Sequence, residues 1–194
     1  MISEEERALI KRAKEGDEGS FETLLLSCKG KAYNIALRYV KDENDAMDVL
    51  QESFIKIFRH LKNFNEESKF ETWVYRIVVN ACYDFLRKKK KKYREVSMES
   101  EDHPAGAELD IPDGAPPPEE MMLNREESAY ILTCLDKIPE EHKKIIILRD
   151  ITGLSYEQIS EILECSIGTV KSRISRARKN LKEIYLNNLK IRDS

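Results

Sequence analysis

A stretch near the middle of the chain decides its architecture. Ser97 to Glu120 carries Pro104, Gly106, Pro112, Gly114 and the run Pro116-Pro117-Pro118, with hardly a large apolar residue. Such a segment buries no core and is expected to be extended or disordered when alone. A chain of 194 residues interrupted there is expected to fold as two small modules, residues 1–94 and 125–194, with a linker over 95–124. Seven Gly and six Pro are too few for a turn-dense sandwich or barrel, and the apolar residues recur at helical spacing, so the expected fold class is all-α.

The overall charge of -3 hides a segregation. Lys and Arg outnumber Asp and Glu by 20 to 16 in residues 1–94 and by 12 to nine in 128–194. Residues 95–127 hold one Arg against 11 acids. Two mildly basic modules flanking an acidic tether keep a nucleic-acid partner in play, which the net charge alone would argue against. The tether is either a solvating spacer or a polyanion suited to a cationic channel.

Cys28, Cys82, Cys134 and Cys165 stand far apart, and the three His (His60, His103, His142) do not cluster with them. Neither a zinc site nor a disulfide framework is expected, and no cofactor motif is present. No apolar run reaches the roughly 20 residues of a membrane span, and Met1 to Lys14 lacks the apolar core of a secretory leader. No membrane insertion is expected. Phosphate-binding loops, H-E-x-x-H and a convincing nucleophile–base pair are all missing, so an enzyme is poorly supported.

In Asn44 to Lys62, Ala46, Leu50, Phe54, Ile57 and Leu61 form a core stripe. Asp45, Asp48, Gln51, Glu52 and Arg59 lie opposite, with Ile55 among them. An apolar residue ringed by acids and an amide has the form of a docking face, although a lone exposed Ile is also common. The next helix, from about Phe70 past Arg87, is apolar nearly all round. One narrow polar edge remains: Thr72, Arg76, Asn80, Tyr83 and Arg87, running into Lys88 to Lys92 and Arg94. Cations, an amide and an aromatic ring in line suit a single-stranded nucleic acid. The polar loop from Asn63 to Lys69 can add a small pocket.

The strongest local signal is at the C-terminal end. Ser155 followed by Gln158 is a capping box opening a helix whose buried face is Ile159, Ile162 and Leu163. A turn at Glu164-Cys165 leads to Ser166, which can cap a second helix. That helix turns Val170, Ile174, Ala177 and Leu181 inward. It turns Gly168, Lys171, Ser172, Ser175, Arg176 and Lys179 outward, with Arg173 and Arg178 on the flanks. This is a helix-turn-helix pattern, with cations and small hydroxyl groups placed for base edges in a major groove and flanking arginines for phosphates. Leu132, Leu135, Ile138 and Ile145 to Leu148 supply its supporting core, with a helix start at Pro139.

Three blocks in this order resemble bacterial sigma factors of the extracytoplasmic-function type. DAMDVLQESF at 45–54 is similar to the region-two helix that binds the polymerase clamp. FETWVYRIVVNACYDFLRK at 70–88 is similar to the segment that melts and holds the minus-ten element, and residues 154–181 are similar to region four, which reads the minus-thirty-five element. The resemblance implies core RNA polymerase as partner, through the clamp of the beta-prime subunit and the flap of the beta subunit. It also implies promoter DNA, an anti-sigma factor and a cytoplasmic location. It matches Asp45, Asp48, Gln51 and Phe54 to the clamp-binding motif, with Phe54 on the core stripe, Arg76 and Asn80 to the unpaired strand, and Lys171, Ser172, Ser175 and Arg176 to upstream bases. It places the linker toward the active centre and RNA exit path. The main rival is a conventional regulator using the same helix-turn-helix, but no sensory or phosphoacceptor pattern precedes it.

Overall fold

The computed structural model describes residues 2–99 and 130–192. The central tether, and with it the choice between spacer and polyanion, lies outside the described residues. Every regular element among those residues is helical.

The first module is built from α1 (Glu4–Lys14), α2 (Glu18–Val40), α3 (Glu43–His60) and α4 (Phe70–Glu99). Each start is set by a side chain that satisfies a free backbone N–H. Ser3 accepts from Glu6, Asp17 from Gly19 and Asp42 from Asp45, at 3.1, 3.1 and 2.9 Å. Three acids in the first turn of α1 and three cations in its last complement the helix dipole. α2 ends where Lys41 turns left-handed at φ 64°.

Leu24, Cys28, Ala32, Ile35 and Tyr39 give α2 a continuous buried stripe. It packs along α4, with α1 and α3 beside it. Ala46, Leu50, Ile57 and Leu61 of the face expected for α3 are buried, with Val49 beside them, whereas Phe54 is only half-buried. Helix α4 runs on to Glu99, past residue 94 where the sequence placed the start of the linker.

The loop before α4 is pinned by α1. Lys14 Nζ donates to the Phe64 carbonyl at 2.6 Å, Arg7 pairs with Glu66 at 3.3 Å, and the Phe70 N–H donates to Glu6 Oε1 at 3.1 Å. Phe64, Phe70 and Trp73 stack beneath this loop with ring centroids 4.9–5.9 Å apart.

The second module comprises α5 (130–135), α6 (Glu140–Ile146), a π turn over Ile147–Ile151, α7 (Tyr156–Ile162) and α8 (Ile167–Arg192). Its core is Leu135, Ile138, Ile145 to Leu148, Leu154, Ile159, Ile162, Val170, Ile174 and Ala177. Pro139 caps α6, as its sequence position implied. The π turn was not foreseen. Both the N–H and the Oγ1 of Thr152 bond the Ile147 carbonyl, at 2.9 and 2.8 Å, and this double bond closes the widened turn.

The two modules are docked on each other. Helix α7 lies against α4, and the π turn lies against α2. This explains why α4 is apolar almost all round: α2 and α3 cover one side, and the second module covers part of the other.

Candidate nucleic-acid and polymerase interfaces

Three faces carry the candidate residues. On α3, Asp48, Gln51 and Glu52 are exposed, as is Ile55 at 46 %. Asp45 pairs with Lys89 at 2.7 Å and Glu52 with Lys56 at 2.8 Å; the Lys56 hydrogen bond holds the Glu52 carboxyl below its ordinary range. The acids and the isoleucine therefore share the surface that the helical wheel assigned them. The wheel did not reveal how apolar its surroundings are. Met47 and Phe58 are more than half exposed. With Phe21, Phe54 and Ile55 they line a shallow groove between α2 and α3. A signal was available: Asp48, Gln51, Ile55 and Phe58 recur at steps of three and four.

On α4, Asn80, Arg87 and Lys88 are exposed, and so is Asn63 in the preceding turn. Arg87 pairs with Asp84 at 2.9 Å. Arg76 is half-buried and pairs with Glu164 of the second module at 3.4 Å. Two members of the expected edge are placed differently. Thr72 is 2 % exposed, because the pinned loop folds over the first turn of α4. Its Oγ1 is buried without a hydrogen-bond partner among the described residues. Tyr83 does not offer a free ring: its hydroxyl is buried, its ring meets Tyr39 edge-on at 5.4 Å, and Lys144 of the second module covers it at 4.4 Å. Burial lowers the pKa of Lys144 there.

The loop does form a pocket. Asn65, Glu67, Ser68, Thr72, Trp73 and Arg76 line a cleft of about 150 Å³, with Glu161 of α7 at its rim. Thr72 is among the residues lining it, although its hydroxyl oxygen itself is buried.

On α8, Gly168, Lys171, Ser172, Ser175, Arg176 and Lys179 are all exposed, while Val170, Ile174 and Ala177 are buried. The capping box is present in both directions between Ser155 and Gln158, at 3.0 and 3.2 Å. Glu164 makes the tight turn at φ 49°, and Ser166 accepts from the Thr169 N–H at 3.2 Å to start α8. Arg176 lies back along the helix, bonding the Ser172 carbonyl and Oγ at 3.3 Å each. Its guanidinium is thus held on the outer face. Arg173 is half-buried, and Arg178 forks onto the Asp150 carboxylate. Among the described residues no metal-ligating cluster occurs, and no helix is long and apolar enough to cross a membrane.

Two family models match these two modules: Sigma-70 region 2 over residues 24–92 and Sigma-70, region 4 over 128–181. The chain is 37 % identical to the ECF RNA polymerase sigma-E factor of Haemophilus influenzae, covering 91 % of this chain and 93 % of that one. The chain belongs to the extracytoplasmic-function sigma factors.

The RNA polymerase sigma-H factor of Pseudomonas aeruginosa is 36 % identical, with 92 % and 93 % covered. The fold is shared with CnrH, solved in complex with the cytosolic domain of CnrY, at a TM-score of 0.66 and 23 % identity over 92 % of this chain and 96 % of that one. It is also shared with the sigma factor RpoE of Bartonella quintana, solved with the anti-sigma factor NepR, at a TM-score of 0.63 and 24 % identity over 84 % and 95 %. As a sigma factor, the chain serves promoter-specific transcription initiation.

Proposed function

We propose that this sigma factor joins core RNA polymerase through α3, reads the minus-thirty-five duplex with α8 and captures the melted minus-ten strand on α4. The observation that carries the reading is the pairing of two different nucleic-acid faces in one chain. One is a convex, cationic helix with small side chains, shaped for a major groove. The other is a cationic edge ending in a polar cleft lined by Asn65, Ser68, Trp73 and Arg76, suited to an everted base. A base that leaves the stack exchanges stacking on DNA for stacking and hydrogen bonds in the protein, which favours opening.

On this reading Asp48, Gln51, Glu52 and Ile55 contact the beta-prime clamp, with Met47 and Phe58 extending the apolar anchor and Asp45 at the edge. Arg76, Asn80, Arg87, Lys88 and Asn63 follow the strand, and Thr72 lies at the base of the cleft. Lys171, Ser172, Ser175 and Arg176 meet base edges, Gly168 allows close approach, and Arg173, Arg178 and Lys179 meet phosphates. Region 4 adjoins the beta flap. The protein itself makes and breaks no covalent bond; the polymerase supplies the chemistry, in the cytoplasm. An anti-sigma factor is a further partner, a reading supported by the RpoE fold relative, which was solved with the anti-sigma factor NepR.

Run-off transcription with purified core enzyme and a genomic promoter pool tests the whole. Discrete transcripts dependent on this protein are expected. Their absence, with the protein folded and inhibitor removed, would refute the assignment.

A further inference from the structure

Helix α1 belongs to none of the three faces, yet it aims three side chains at one loop. Glu6 Oε1 accepts from the Phe70 N–H at 3.1 Å, and Lys14 Nζ donates to the Phe64 carbonyl at 2.6 Å. The loop that walls the cleft is thereby held at both ends. Arg7 and Lys14 are seven residues apart, two helical turns, so both project from one side of α1. Both reach Glu66, at 3.3 and 3.4 Å.

Glu66 is the left-handed residue of this loop, at φ 62°. A residue with a Cβ keeps that conformation only where its surroundings fix it. The turn of the backbone there separates Glu66 from its neighbours. Asn65 and Glu67 line the cleft, whereas Glu66 faces α1. A pocket that receives a base keeps its shape only if the residues behind it are locked.

The two cations of α1 are not equal. The Arg7 side chain is 62 % exposed, so its pair with Glu66 is weak. Lys14 is 25 % exposed, stands 5.7 Å from the centre of the Phe64 ring and donates to the carbonyl of that buried residue. Phe64 packs against Trp73 at 4.9 Å between ring centroids, and Trp73 lines the cleft. A line of contacts therefore runs from Lys14 through Phe64 and Trp73 to the cleft. Lys14 itself is not among the residues that line it.

We propose that Lys14 is a positioning residue for strand capture: it holds the Phe64–Glu66 arm of the loop against Trp73, and so gives the cleft the shape that receives a base. This rests on the assignment of the cleft to the minus-ten strand. The phosphate-tracking cations of α4 do not depend on this hold, so its loss should cost base capture and spare the electrostatic part of binding.

The test uses full-length protein in complex with core polymerase. The probe is a promoter fragment from the run-off pool, labelled with fluorescein, with its minus-ten non-template strand left single. Each base of that strand is replaced in turn by an abasic site. With the natural protein, affinity should fall about tenfold at the captured position, as expected for one stacked base. In Lys14→Met, which keeps the apolar stem, that loss should shrink below twofold, with the salt dependence of binding unchanged. Lys14→Arg, which restores a cationic donor, should return it to at least fivefold. Arg7→Met combined with Glu66→Gln removes both pairs to Glu66 but leaves the Lys14 bond to Phe64, and should also keep at least fivefold. Trp73 is the single Trp of the chain. Its fluorescence should be quenched by acrylamide about twice as strongly in free Lys14→Met as in the natural protein, and no more strongly in Lys14→Arg. Should Lys14→Met fail to fold, Lys14→Gln, whose amide is too short to reach the Phe64 carbonyl, takes its place with the same expectation.

A full tenfold abasic loss in folded Lys14→Met overturns the proposal. So does an equal collapse in the Arg7→Met, Glu66→Gln protein, which would place the hold in the Glu66 charge. If no abasic site weakens binding by the natural protein, the assignment of the cleft falls and takes this proposal with it, which separates the two failures.

Discussion

Thr72 sets stability against function in a single side chain. Its hydroxyl is buried at the cleft and has no hydrogen-bond partner among the described residues. An unsatisfied buried hydroxyl costs about 1–3 kcal/mol, and replacing it by a methyl group of the same shape removes that penalty. Thr72→Val should therefore stabilise the protein by about 1 kcal/mol in thermal unfolding. The same change should reduce permanganate reactivity at a melted promoter, because the hydroxyl no longer meets the captured strand. A stabilised variant with undiminished promoter opening would show that the hydroxyl takes no part in strand capture. Periodicity placed Thr72 on the polar edge of α4 correctly. It did not show that a loop held by Lys14, Arg7 and Glu6 from another helix would cover it, since those partners lie about 50 to 64 residues away in sequence. The covering of Tyr83 escaped periodicity for the same reason: the cation over its ring comes from the other module.

Elements whose causes are local were legible. Ser155 and Gln158 are three residues apart, and their reciprocal bonds need nothing from elsewhere in the chain. The outward face of α8 follows from spacing alone once Val170, Ile174 and Ala177 are taken inward. The π turn was not legible, because Ile145 to Leu148 is a continuous apolar run without a period, and all four side chains are buried. Helix α7 is seven residues long, far below the length at which a helix holds in isolation. Its cap and its packing against both α4 and α8 must sustain it. Ser155→Ala should cost about 1 kcal/mol in denaturant unfolding. It should also weaken upstream duplex binding, because α7 braces the recognition helix. Loss of stability without loss of duplex affinity would show that α8 is positioned independently of α7.

At the scale of the molecule, the division into two modules follows from the proline-bearing acidic stretch, whereas their docking does not. Docking depends on pairs such as Lys41 with Asp136 and Glu71 with Gln158, each joining residues on opposite sides of the tether. No local pattern encodes such a pairing. It also forces a change of shape, since the closed form brings Arg76 and Arg176 within about 35 Å while a promoter asks for roughly 85 Å. Energy transfer can follow that change. Lys31 on α2 and Lys182 on α8 are exposed and belong to none of the three faces. Dyes on Lys31→Cys and Lys182→Cys, in a Cys165→Ser background, should transfer efficiently in the free protein. Transfer should fall steeply when core polymerase and promoter DNA are added. DNA alone should leave it high, because the outward, base-facing side chains of α8 are exposed without separation of the modules. If polymerase and promoter leave the efficiency unchanged, the modules stay docked during initiation. The two DNA elements would then have to be brought together by a bend far beyond the 40–90° that costs about 1–6 kcal/mol on a site of 20–30 base pairs.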